Sequence, residues 1–161
     1  MKNISLVLVT FLLVATSVNA QEISKNAIGL RLGDSDGFGA EINYQRALDE
    51  DNRLELGLSF RDTKRVNAYK ITGIYQWVWN IDGGFNWYAG PGAGIGQIGF
   101  EDEFFDDRSN ETFVFAAGDI GIEYNFDFPL LVSLDFRPEF GFGDYRDDVV
   151  FDIALGARYQ F

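Results

Sequence analysis

The sequence predicts an all-β fold: an eight-stranded antiparallel up-and-down transmembrane β-barrel preceded by a cleavable signal peptide. Three observations carry this expectation. An apolar leader opens the chain, apolar and polar residues alternate with period two through eight successive runs, and aromatic residues gather where those runs end.

Met1, Lys2 and Asn3 form a short charged start, Ile4 to Ala15 an apolar run, and Ser17-Val18-Asn19-Ala20 a small-residue stretch before a cleavage point after Ala20. This is the order of a secretory signal peptide. An apolar run of about 12 residues falls short of the roughly 20 that a membrane-spanning helix needs. The expected organisation is residues 1–20 as signal peptide and 21–161 as the barrel.

With 25 acidic and 13 basic residues, the chain has a net charge of −12. That balance argues against a nucleic-acid partner, whose phosphates it would repel. The absence of cysteine leaves no disulfide framework and no thiolate metal site. A 16% aromatic content and 18 glycines combine with a mean hydropathy near zero. Strands with one apolar and one polar face give that mixture.

The first run sets Ile28, Leu30 and Leu32 against Arg31. The second sets Phe38, Ala40, Ile42 and Tyr44 against Glu41, Asn43 and Gln45. The third sets Leu54, Leu56, Leu58 and Phe60 against Arg53, Glu55, Gly57, Ser59 and Arg61. In the fourth, Tyr69, Ile71, Tyr75, Trp77 and Trp79 alternate with Lys70, Thr72 and Gln76, although Ile74 and Val78 fall on the polar face. The fifth alternates Phe85, Trp87, Ala89, Ala93 and Ile95 with Asn86, Tyr88, Gly90, Gly92, Gly94 and Gly96. The sixth alternates Val114, Ile120, Ile122, Tyr124 and Phe126 with Asp119, Glu123 and Asn125, and Phe113 and Phe115 break its pattern. The last two are regular: Leu130 to Phe142 on even positions against Ser133, Asp135, Arg137 and Glu139, then Phe151 to Phe161 on odd positions against Asp152 and Arg158. Pro91 and Pro138 fall inside runs of a sheet with no free edge, which predicts local bulges there.

Connections 47–52, 80–84 and 127–129 are tight, and Asp82-Gly83 is a hairpin signal. Those at 34–37, 62–66, 101–110 and 144–147 include the longest. Short turns on one side and longer loops on the other are the asymmetry of a membrane barrel.

Alternation alone does not say which face is inside. The interior of an eight-stranded barrel is only just wide enough for its side chains, so the many bulky apolar groups belong outside. Tyr44, Trp77, Trp79, Phe85, Trp87, Tyr124, Phe126, Tyr159 and Phe161 then form an aromatic girdle at one rim; Phe38, Phe60, Tyr69, Phe140, Phe142 and Phe151 lie nearer the other. The opposite face supplies a lumenal polar network of Arg31, Glu41, Glu55, Lys70, Asp119, Glu123, Asp135, Arg137, Glu139, Asp152 and Arg158, in which opposite charges can pair.

At this point the chain resembles the small outer-membrane β-barrel family, OmpX-like and OmpA-membrane-domain-like, in the manner of single-domain porin-family barrels of Bacteroidetes-type bacteria. The residues that carry the resemblance are the leader ending Asn19-Ala20 before Gln21, the stretch from Tyr88 to Gly94, the stretch from Asp135 to Phe140, and the final Tyr159 and Phe161. It implies residence in the outer membrane among lipid and lipopolysaccharide. It also implies that Tyr159 and Phe161 act as the assembly signal read by the barrel-assembly machinery.

No histidine is present, so a Ser-His-Asp arrangement is excluded. Paired carboxylates such as Glu123 with Asp119, or Asp135 with Glu139, share a face with Arg137 and Arg158, and an ion-pair network is the expected use. The row Gly90, Gly92, Gly94, Gly96 lacks the lysine and helix of a phosphate loop. It makes room for long side chains opposite, arginines by expectation, or for a narrow water path. The acidic loop 101–110, with Glu101, Asp102, Glu103, Asp106 and Asp107 around Phe104 and Phe105, offers oxygen ligands suited to divalent cations and a surface for an extracellular ligand. No catalytic residue, cofactor or bound metal is expected. The functional expectation is a structural or surface-interaction protein with a lumen filled by Arg/Lys–carboxylate pairs. The alternatives are a narrow cation-favouring channel and a soluble periplasmic barrel around an apolar ligand.

Overall fold

The computed structural model describes residues 23–33, 38–62, 66–101, 108–142 and 148–161. The leader therefore lies outside the described residues. The strands are β1 (Asn26–Gly33), β2 (Ala40–Ala47), β3 (Asn52–Asp62), β4 (Val66–Asp82), β5 (Phe85–Glu101), β6 (Arg108–Asn125), β7 (Leu130–Phe142) and β8 (Val149–Gln160). Each pairs antiparallel with its neighbours in chain order, and β8 pairs with β1 from Ala27↔Gln160 to Gly33↔Ala154, which closes the barrel.

Because successive side chains of a strand point to opposite faces, closure sends every second residue into the lumen. In β8, Asp152, Ala154, Gly156 and Arg158 are buried while Phe151, Ile153, Leu155 and Tyr159 are exposed. In β7, Arg137 is 1% exposed and Leu134 47%. The barrel is thus apolar outside and charged inside. An apolar calyx, which the soluble alternative requires, is the reverse of this arrangement.

Two expectations fail in instructive ways. Phe38 does not continue the outward face of β2. Gly39 adopts a positive φ of 79°, a backbone turn that side-chain-bearing residues rarely make, and Phe38 packs inward beside Lys70 instead. The prolines introduce no bulge either. Pairing of β4 with β5 keeps one register from Ile74↔Gly92 to Trp77↔Ala89, across Pro91, and β6 with β7 from Ala117↔Glu139 to Ile120↔Phe136, across Pro138. The rungs between are missing, but no residue is inserted. A missing N–H removes a ladder bond without forcing an extra residue. The register shifts instead between Asn80 and Asp82, beside the β4–β5 turn. There Gly83 has a φ of 52°, and Asn80 Nδ2 donates to the carbonyls of Gly83 and Phe85 at 3.0 and 3.2 Å.

Candidate functional site

The candidate site is the lumen, and its charged residues come from seven of the eight strands. Arg31 of β1 donates through Nε and Nη2 to Asp135 Oδ1 at 2.8 and 2.5 Å and through Nη1 to Asp152 Oδ2 at 2.7 Å. Arg137 of β7 reaches across to Glu41 Oε2 on β2 at 3.1 Å and Glu55 Oε1 on β3 at 2.8 Å. Glu55 is shared: its Oε2 also accepts from Arg158 at 3.0 Å and from Gln45 at 2.6 Å. Arg158 further donates to Ser133 Oγ at 2.7 Å and Asn43 Oδ1 at 3.1 Å. Lys70 Nζ pairs with Glu139 Oε1 at 2.7 Å. Asp119 is held by Gln76 at 2.5 Å and stands 3.7 Å from Arg137 Nε. All eleven residues of the expected network are buried in the lumen.

A twelfth belongs with them. Arg53 of β3 is 1% exposed and grips both oxygens of Glu123, at 3.1 and 2.7 Å, while Nε donates to Gln76 at 2.6 Å. Its alternation puts it on the polar face, but its place near the start of β3 hid its reach across the lumen to β6. Such two-pronged guanidinium–carboxylate bonds are among the stronger ones. Most of these pairs join strands that are not neighbours, so they act as struts across the barrel. Severing one leaves a buried charge without its partner, the expensive outcome.

Ion pairs do not fill the whole lumen. The glycine row makes room for aromatic and aliphatic groups rather than arginines. A Cβ on Gly94 would overlap the ring of Phe115, on Gly96 that of Phe113, and on Gly92 the side chain of Ile74; Gly121 similarly accommodates Tyr88. Phe113 and Phe115, which break the sequence pattern, are lumenal, cross-strand from Gly96 and Gly94. With Ile74 and Ala117, and with Phe38 and Ile98 against them, they form an apolar layer. Lys70 Nζ lies 4.8 and 5.5 Å from the ring centres of Phe38 and Phe115, a cation–π arrangement. Near the turns, the Arg53 guanidinium lies 4.8 Å from the Tyr88 ring centre. Among the described residues, a cavity lined by Gln45, Arg53, Asn86 and Glu123 and another lined by Arg31, Phe38, Glu41 and Asp152 each offer about 10 Å³. That is room for about one water.

Outside, Trp79 and Trp87 stack at 4.2 Å, Phe85 and Tyr124 meet edge-on at 4.6 Å, and Tyr159 and Phe161 stack at 6.2 Å. Trp77 is exposed and meets Tyr75 edge-on at 5.0 Å, and the Tyr44 hydroxyl donates to Asn26 Oδ1 at 2.7 Å. These eight girdle residues all point away from the lumen on the half of the barrel next to the short turns. The acidic loop proper, residues 102–107, lies outside the described residues.

No protein-family model matches the chain, and no curated protein matches it by sequence. Solved structures do. The N-terminal β-barrel domain of Pseudomonas aeruginosa OprF superposes with a TM-score of 0.64 at 13% identity, covering 87% of this chain and 98% of that one. Neisserial surface protein A gives 0.63 at 12% identity, covering 84% and 94%. Ail, the attachment invasion locus protein of Yersinia pestis, gives 0.55 at 19% identity, covering 86% and 97%. The fold is that of the small outer-membrane barrels.

Proposed function

We propose that this chain is an integral outer-membrane β-barrel with a structural or surface-interaction role and a closed lumen. The observation that carries the reading is the combination of an apolar outer wall with a lumen of cross-braced ion pairs. Ile28, Leu58, Ile71, Ile120, Leu134, Ile153 and Leu155 are all 45–60% exposed. In water that surface would be an aggregation hazard; in lipid it is the favourable one. The short turns then face the periplasm and the longer loops the exterior. Lipid and lipopolysaccharide are its surroundings, and the acidic 101–110 loop is where an extracellular ligand would meet it.

The narrow-channel alternative is disfavoured by the Phe113–Phe115 layer and by cavities of about 10 Å³ among the described residues. Gel mobility with and without boiling, run on fractionated cells, tests the assignment. A heat-dependent shift confined to the outer-membrane fraction is the expected result; a protein recovered in the soluble fraction without detergent overturns it. Planar-bilayer recording of the pure protein tests closure, and discrete single-channel steps would restore the channel.

A further inference from the structure

The outer wall is uneven. β1 and β2 have eight residues each, whereas β7 has 13 and β8 has 12. On β1 the outward apolar residues are Ile28, Leu30 and Leu32, bounded towards the turns by Asn26. On β2 they are Ala40, Ile42 and Tyr44, bounded by Arg46. On β7 and β8, by contrast, outward apolar residues run from Leu130 to Phe142 and from Val149 to Phe161. An eight-residue strand tilted by about 45° spans roughly 19 Å of height, against a hydrocarbon core of about 30 Å. Tilting the whole barrel cannot remove the difference, because tilt moves both borders of a sector the same way.

Arg46 marks the lower border of this narrow sector. It is exposed, it follows outward-facing Tyr44 on the same face of β2, and its Nη1 donates to the neutral Asn26 Oδ1 at 2.8 Å. No carboxylate pairs with it among the described residues. Asn26 lies directly across from it, and the exposed Lys25 precedes Asn26, its carbonyl accepting from the Ala47 N–H at 3.0 Å. The turns at this end are otherwise acidic, with Asp49, Glu50, Asp51, Asp82 and Asp127. A guanidinium at the border of a lipid-facing wall requires an anion or water at its own level.

We propose that the β1–β2 sector thins the bilayer locally, with Lys25 and Arg46 holding the phosphates of phospholipids in the periplasmic leaflet. The inference rests on the membrane reading above. Hydrophobic mismatch is met by lipid deformation at modest cost, and two cations at the border fix where the headgroups come to rest.

The chain has no cysteine, so one nitroxide can be placed at Leu30→Cys in the narrow sector or at Leu134→Cys in the wide one. Depth is read from oxygen and nickel-chelate collisions in dioleoylphosphatidylglycerol vesicles. The Leu30 label is expected about 5 Å nearer the headgroups than the Leu134 label, from the difference in half-height. Lys25→Gln with Arg46→Gln should move the Leu30 label deeper and leave Leu134 unchanged, while Arg46→Lys keeps the original depth. Heat-dependent gel mobility confirms that each variant is inserted. Equal depths at the two sites would overturn the thinning, and a Leu30 depth indifferent to the charge removal would overturn the anchor. Loss of the charge-dependent shift in excess inorganic phosphate would assign the site to a soluble anion and overturn the lipid claim. If both labels collide freely with the nickel chelate, the membrane reading itself fails.

Discussion

The lumen's stability is decided by single side chains with several partners. Arg137 holds Glu41 and Glu55 and lies beside Asp119; replacing it with Met strands buried carboxylates and should cost about 3–5 kcal/mol, measured as a lowered urea midpoint in vesicles. The glycines provide the complementary test. Gly94→Val would drive a side chain into Phe115 and the Ile71 carbonyl, costing about 1–3 kcal/mol, and adding Phe115→Ala should recover part of the loss. Gly118→Ala faces outward with its new carbon 3.4 Å from Pro138 Cγ and should fall within about 0.5 kcal/mol of wild type. Most of the site was legible because charge and parity coincide: Arg31, Glu55 and Arg158 each sit on the polar side of a clean alternation. Phe113 and Phe115 were not, because what makes them lumenal is a glycine on the neighbouring strand, and a one-dimensional pattern does not show which residues lie across a rung.

At the scale of a strand, the alternation of β7 assigns opposite environments to adjacent residues. Leu134→Arg should destabilise the fold by about 2–4 kcal/mol near the bilayer midplane, and the penalty should grow as the acyl chains are lengthened. Ser133→Arg places a second cation beside Arg158, which Ser133 bonds at 2.7 Å, so its effect should be insensitive to chain length. Unfolding titrations in vesicles of two thicknesses distinguish the cases, and equal responses would contradict the assigned facing. The strand order and hairpin connections followed from regular alternation and from turns such as Asp82-Gly83. The misplaced features have local causes: Gly39's positive φ reverses Phe38, and the prolines drop rungs without adding a residue.

At the scale of the molecule, a closed antiparallel barrel braced by lumenal ion pairs should migrate anomalously on gels until boiled, and should stay silent in planar bilayers while Phe113 and Phe115 are present. Closure also has a short seam. The β5–β6 ladder runs from Phe85 to Glu101, whereas the β1–β8 junction runs from the Asn26–Phe161 backbone pair to Gly33. It joins the first strand to the last with no hairpin between them, so it is the seam expected to open first under load. Its mechanical strength rests as much on Arg31 and Arg158, which clamp it from within to Asp135 and Glu55, as on its own few backbone bonds. A force probe pulling on the chain should find its first yield point there, and stripping those two clamps should lower the yield force without changing the shape of the intact cylinder.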